Sequence, residues 1–311
     1  MDSITIVVPC YNEEEVLHLF YRETSKAVRD IPAEFEFLFI DDGSEDKTLS
    51  ILRELSSLDP RVKYLSFSRN FGKEAGIYAG LSKSKGDYVV LMDADLQHPP
   101  EMIGKMYDTI KASGCDSVAA KRAVRTSDSA VRRFFSRQFF RLMRSITKTN
   151  LVEGATDFRM MSRQMVDAVL SLTEYNRFTK GIFGWVGFRT IWLDYKDTER
   201  AAGQTKWSIA GLVKYSLDGI MSFSTLPLAF ASILGFVFCL ISVLLMLYFA
   251  VKTWIIGGDP VPGFPTLICV IFLLGGIQLL CIGIMGQYMA KTYLEAKRRP
   301  LYIEKESNVD S

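Results

Sequence analysis

Between Pro227 and Val251 the chain runs for 25 residues without a charged side chain, and between Pro265 and Met289 it does so again. Each stretch exceeds the ~20 residues that an α-helix needs to cross a bilayer. Backbone amides and carbonyls in hydrocarbon must bond internally, so such a stretch is expected to be helical. The connection from Lys252 to Phe264 is short and rich in Gly and Pro, which predicts a hairpin with both ends on one side. Lys252 is the only basic residue of that loop. Lys206 and Lys214 precede the first stretch, and Lys291, Lys297, Arg298 and Arg299 follow the second. The positive-inside rule puts both ends in the cytoplasm. Two buried core helices are the alternative, disfavoured by the length and the lack of charge. The N-terminus has no basic region and no early apolar run, so no signal peptide is expected.

The first 120 residues read differently. Ile4 to Pro9 is a short β-branched run, as in a strand covered on both faces. Glu13 to Arg29 reads as a helix with Asn12 at its N-cap. A strand follows over Phe35–Ile40, a helix over Asp46–Leu58, a strand over Val62–Phe67, a helix over Lys73–Lys83 and a strand over Tyr88–Met92. Another helix is expected after Pro99-Pro100. Repeated βαβ units imply a mostly parallel sheet with helices on both faces. Ligands of such sheets bind beyond the carboxyl ends of the strands. Two acidic clusters, Asp41-Asp42 and Asp93-Ala94-Asp95, fall at those ends. Gly72, Gly76 and Gly80 recur at helical spacing and predict a close-packing stripe; neither a P-loop nor a GxGxxG is present.

Composition removes several classes. The net charge of +2 argues against a nucleic-acid partner. Cys10, Cys115, Cys239, Cys269 and Cys281 form no CxxC pair, which speaks against a disulfide framework or a zinc site. His18 and His98 are the only histidines, so a divalent metal would rest on oxygen ligands, favouring Mg2+ or Mn2+.

From Lys121 to Lys148 Asp128 is the only acid among nine basic residues. Arg133, Arg137, Arg141, Arg144 and Lys148 keep helical spacing, and so do Val131, Phe135, Phe139, Leu142 and Ile146 on another face. A helix of this kind lies in the headgroup plane of a membrane, the alternative being a solvated basic face packed on a core. Trp207 to Phe223 is a second candidate interfacial helix. The tail from Glu304 to Ser311 is expected to be disordered.

Asp93 and Asp95 follow the apolar strand directly. Two carboxylates at i and i+2 can reach one cation where the backbone turns, and that cation can neutralise a departing diphosphate. A lone pair of this kind is also common in surface turns. Three further stretches accompany it: Val8-Pro9-Cys10-Tyr11-Asn12-Glu13-Glu14, Asp41-Asp42-Gly43-Ser44-Glu45-Asp46 and Arg69-Asn70-Phe71-Gly72-Lys73. With Asp93-Ala94-Asp95-Leu96-Gln97-His98-Pro99-Pro100-Glu101 they resemble the family 2 glycosyltransferases of GT-A fold. The closer match is to polyprenyl-phosphate glycosyltransferases of the bactoprenol glucosyltransferase and dolichol-phosphate mannose synthase type.

That resemblance implies roles residue by residue. Pro9, Tyr11, Glu13, Asp41 and Asp42 would line the nucleoside side of a nucleotide-sugar site, to which Lys73, Asp93 and Ala94 also belong. Asp93, Asp95 and Gln97 would hold the metal. Arg122, Arg132 and Ser136 would bind a lipid phosphate. Arg200 and Lys206, in Arg200-Ala201-Ala202-Gly203-Gln204-Thr205-Lys206-Trp207, would reach the donor phosphates. Asp157 and Asp95 are the catalytic candidates, with Asp157 either a base or an orienting group.

The implied organisation is a cytoplasmic GT-A domain over 1–205 (with a basic helix at about 129–148) and an interfacial helix over 206–225. A transmembrane hairpin over 226–290 and a tail over 291–311 complete it. The implied reaction is inverting transfer of a sugar, glucose from UDP-glucose being the first choice, to undecaprenyl phosphate at the cytoplasmic face of the cell membrane. A homo-oligomer is compatible with this. Two alternatives stay open: a processive polysaccharide synthase, whose Gln-x-x-Arg-Trp motif is missing here, and a membrane scaffold with an inactive transferase domain.

Overall fold

The computed structural model describes residues 1–122, 152, 154–195, 226–256 and 264–309. The chain divides into two compact units, one of Met1–Tyr215 with Arg299–Ser311 and one of Ser216–Arg298.

The first unit is built on one mixed sheet of eight strands. In chain order the elements are β1 (Asp2–Cys10), α1 (Leu17–Ala27), β2 (Ala33–Asp41), α2 (Thr48–Leu58), β3 (Val62–Phe67), α3 (Lys73–Lys83), β4 (Tyr88–Leu91) and α4 (Met102–Ser113). Then come β5 (Ser117–Arg122), β6 (Ala155–Ser162), α5 (Arg163–Ser171), α6 (Thr179–Trp185) and β7 (Thr190–Tyr195). The chain ends in α7 (Leu226–Ile256), α8 (Phe264–Ala296) and β8 (Glu304–Ser307). The sheet order is β7-β5-β6-β4-β1-β2-β3-β8. Its centre, β4-β1-β2-β3, is parallel. β6 runs antiparallel to both β4 and β5, and β8 antiparallel to β3. The sheet is therefore mixed, where βαβ repetition alone predicted a mostly parallel one.

Ile4 to Val8 are buried, as are Phe37 to Ile40, because helices cover both faces of the central strands. Phe20, Phe37, Phe39, Leu52, Met106 and Phe158 join one core on one face. On the other, α3 lies against β1. A Cβ at Gly80 would stand 2.1 Å from Val7 Cγ1, and one at Gly76 would stand 3.4 Å from Pro9 Cβ. The glycine stripe lets the helix backbone reach the strand and sets the height of its first residue, Lys73.

Two local expectations change. The first helix begins at Leu17 with no side-chain cap. Asn12 instead takes φ +54° and accepts from Glu45 N at 2.9 Å, a tertiary partner that outcompetes the local cap. The C-terminal tail is ordered over β8. Its backbone pairs with the edge of β3, Tyr302 stacks on Phe67 at 4.8 Å, and Glu306 accepts from Arg53 Nε at 2.8 Å and Tyr64 Oη at 2.6 Å. An open strand edge attracts a partner strand, and local charge alternation gives no sign of it.

In the second unit α7 and α8 are long and apolar. Among the described residues one segment, Leu273–Ala296, is long and apolar enough to cross a membrane, and Pro227–Phe238 is a shorter apolar run. One spanning segment thus stands against the two expected from the sequence; several α7 side chains lie outside the described residues.

Candidate active site

The order of the central strands reverses between β1 and β4, the switch point at which open α/β sheets bind ligands. The loops after β1, β2 and β4 meet there. Those after β1 and β2 are zipped together: Asn12 N donates to Ser44 Oγ at 2.9 Å, Glu13 N to Thr48 Oγ1 at 2.9 Å, and Lys47 N to Glu14 Oε2 at 2.9 Å.

The paired aspartates at the tip of β2 are occupied by the chain itself. Asp41 accepts from Ser44 N at 3.0 Å and Ser66 Oγ at 2.7 Å. Asp42 accepts from Phe71 N at 2.6 Å and Gly72 N at 2.9 Å. Burial pushes the Asp42 carboxyl up, although the two amides pull the other way. Asp42 thus clamps the segment that leads into Lys73. Gly43, at φ +66°, completes the clamp: a Cβ there would lie 2.3 Å from the Arg69 carbonyl carbon.

β6 brings in Asp157. Leu91 pairs with Arg159 across the antiparallel ladder, and carrying that register two residues on sets Asp157 opposite Asp93. The Lys73 ammonium lies between them, 2.7 Å from Asp93 and 2.9 Å from Asp157. Lys180 of α6 approaches Asp157 at 3.9 Å. Burial alone would raise the Asp157 carboxyl, but the fields of Lys73 and Lys180 outweigh it and hold the group far below the usual carboxylate range. Burial would lower Lys73, and Asp157 and Asp93 more than reverse that. Arg159, on the same face of β6, is 3% exposed, and its guanidinium lies 3.8 Å from the Phe183 ring centroid. Burial brings it down to about 10 against the pull of Asp157.

At the tip of β4 the backbone turns through Leu96 at φ +55°, and Gln97 N donates to Asp95 Oδ1 at 3.1 Å. Ala94 is buried. His98 packs against the rings of Phe158 and Tyr195, and burial lowers its pKa, so it stands neutral behind the loop. The oxygen donors Asp93 and Asp95 suit a hard divalent cation. Asp93 and Asp95 offer two such carboxylates, and the cation held on Asp93 is the Lys73 ammonium; among the described residues no group of three or more acidic, His or Cys side chains gathers as a metal site.

Beside this cluster a cleft of about 290 Å³ is lined by Tyr11, Asp41, Ser66, Arg69, Asn70 and Lys305, among others. A larger cavity of about 500 Å³ lies at the opposite, N-terminal end of β2, and neither Asp93, Asp95 nor Asp157 lines it. Pro9, Tyr11 and Glu13 stand at the tip of β1 and Arg122 at the end of β5, where its N–H donates to Gly154 O at 2.9 Å. Arg132, Ser136, Arg200 and Lys206 lie outside the described residues, as do the basic segment 129–148 and the stretch 206–225. Sequence reasoning missed Lys180, Arg159 and Lys305. Lys180 and Lys305 reach the site from far along the chain, whereas Arg159 stands two residues from Asp157 on one strand face.

Carboxylates and an ammonium thus gather at the switch point of a mixed α/β sheet, with a polar cleft beside them. The chain belongs to the glycosyltransferases: the glycosyl transferase family 2 profile matches residues 5–170. It is 42% identical over 303 residues to a bactoprenol glucosyl transferase of Shigella phage SfX, covering 97% of this chain and 99% of that one. It is 41% identical to the prophage bactoprenol glucosyl transferase homolog of Escherichia coli K12, covering 97% and 98%. Among solved structures, mannosyl-3-phosphoglycerate synthase from Rubrobacter xylanophilus is 15% identical, with a TM-score of 0.48 over 70% of this chain and 72% of that one.

Proposed function

We propose that this glycosyltransferase moves glucose from UDP-glucose onto a polyprenyl phosphate, with inversion, at the cytoplasmic face of a membrane. The observation that carries the reading is the cluster of Asp93, Lys73 and Asp157 at the strand tips beside a nucleoside-sized cleft. The near full-length similarity to bactoprenol glucosyl transferases supports the choice of sugar and acceptor.

An oxygen of the lipid phosphate attacks the anomeric carbon. The bond from that carbon to the donor diphosphate breaks, and the diphosphate leaves with the electron pair. A phosphate monoester has a second pKa near ~6, so the nucleophile is already anionic and gains little from a base. Asp157 is a weak base, because neighbouring lysines hold it far below the usual range. Its role is therefore to orient the acceptor or the sugar hydroxyls. Lys73 offsets charge gathering on the diphosphate, and Asp42 keeps Lys73 in place. Asp93, Asp95 and Gln97 would hold a Mg2+ or Mn2+ ion, which when bound supplies further compensation of that charge. Arg122, Arg132 and Ser136 position the lipid phosphate, and Arg200 and Lys206 cover the donor. α8 supplies the membrane anchor, its segment Leu273–Ala296 being long and apolar enough to cross, with Lys297, Arg298 and Arg299 on the cytoplasmic side.

The test is a panel of nucleotide-sugars offered with undecaprenyl phosphate and Mn2+, read by product mass. The expected product is a lipid phosphate carrying one hexose. Asp93→Ala should abolish it while the thermal melt stays unchanged. A polymer, or no turnover of any nucleotide-sugar, would remove the reading. Full activity in EDTA would remove the metal from it.

A further inference from the structure

The nucleoside cleft is completed by the last residues of the chain. Lys305 lines it together with Tyr11, Asp41, Ser66 and Arg69. In the β3–β8 ladder Ser66 faces Glu306 and Phe67 faces Glu304, with a register shift between them. Lys305 is therefore the extra residue of a β-bulge. Bulges beside active sites re-aim a side chain out of the strand's alternation, and here the residue set apart is the one that lines the cleft.

The strand is pinned on both sides of it. Glu306 holds Arg53 and Tyr64, Asn308 Oδ1 accepts from Tyr64 N at 2.6 Å, and Ser68 N donates to Ile303 O at 2.9 Å. Among the described residues no hydrogen bond or ion pair engages the Lys305 ammonium. An exposed cation, with only the field of Glu306 beside it, stands on a fixed backbone at the lining of the cleft.

On the reading that this cleft takes the nucleoside of the donor, we infer that Lys305 recognises the exocyclic keto oxygen of the base and so selects uracil or guanine nucleotides over cytosine or adenine ones. An ammonium has three donors and no acceptor. It can bond the O4 of uracil or the O6 of guanine, and it meets another donor in the amino group of cytosine or adenine. A site built to bond one such group discriminates against the analogue that lacks it. The diphosphate is a less suitable partner. Asp93 and Asp95, which stand at the phosphate end of the reading, are not among the residues that line this cleft.

The experiment is calorimetric titration of the full-length protein in detergent with UDP and with CDP, for the wild type, K305M and K305R. Lys305 is exposed, so K305M should melt with the wild type. The wild type should prefer UDP. K305M should lose about tenfold in UDP affinity and little for CDP, and K305R should keep most of the preference. With UDP-glucose varied at saturating undecaprenyl phosphate, K305M should raise KM for the donor and leave kcat unchanged. Undiminished UDP affinity in K305M overturns the inference while leaving the proposed reaction intact. Equal losses for UDP and CDP overturn it too, since Lys305 would then contact phosphate or ribose. A wild type that binds no nucleoside diphosphate removes the proposed reaction and this inference together.

Discussion

Gly76 and Gly80 stand one turn apart on α3, yet alanine should have opposite effects at the two. At Gly80 the new Cβ would sit 2.1 Å from Val7 Cγ1 and 3.3 Å from Ile40 Cγ1. Both neighbours are fully buried, and a β-branched valine in a strand has little rotamer freedom with which to withdraw. Overpacking of this kind costs about 1–3 kcal/mol, and 2.1 Å is deep enough to place it near the top of that range. Alanine returns about 1 kcal/mol of helix propensity, leaving a net loss of about 2 kcal/mol. In a domain of this size that lowers Tm by about 4–8 °C. At Gly76 the nearest atoms lie at 3.4 and 3.9 Å, ordinary contact, so G76A should melt at or slightly above the wild type. Circular dichroism melts of the purified protein in detergent decide the matter. Because α3 delivers Lys73 to Asp93 and Asp157, G80A should also lose transfer activity below its melting point. The double variant V7A/G80A should be less destabilised than the sum of the singles, since they share one contact. A G80A protein as stable as the wild type, or a G76A protein equally weakened, would refute the account of how the helix meets the sheet.

Asp42→Ala should cost about 2–4 kcal/mol, because two part-buried amides lose their acceptor, and should raise KM for the donor through the loosened segment at residues 69–73; urea melts and donor titrations check this. Asp59 is held at about 2 by Arg61, helped by Tyr21. Its folded pKa lies below the ordinary 3.8, so its contribution is present above that value and lost as pH falls towards about 2. The Tm gap between wild type and D59N should therefore be full at neutral pH and close towards pH 2. D157N should cut kcat for transfer while leaving the apparent second pKa of the acceptor visible in the pH–rate profile. If Asp157 were the base instead, that profile would lose its acidic limb in the variant.

Much of the scaffold was legible locally. Short apolar runs marked β1 to β4, as expected of strands covered on both faces, and the glycine spacing marked the face of α3. The sites at strand tips were legible for the same reason: a polar cluster that interrupts an apolar run ends the strand there. The start of α1 was not, because Asn12 spends its side chain on Glu45, a residue far along the chain. Nor was the antiparallel β6, whose direction depends on which neighbour it meets.

The sequence by itself determined an α/β domain followed by apolar helices, and the acidic residues at the ends of its strands. Those are properties of period, composition and local turn chemistry. Only the tertiary structure decided that Asp41 and Asp42 clamp loops, that Lys73 stands between Asp93 and Asp157, and that a charged tail becomes a strand presenting Lys305 to the cleft. Each of these depends on groups far apart in the chain that meet only when the sheet assembles, and a pattern read along the backbone carries no information about such meetings.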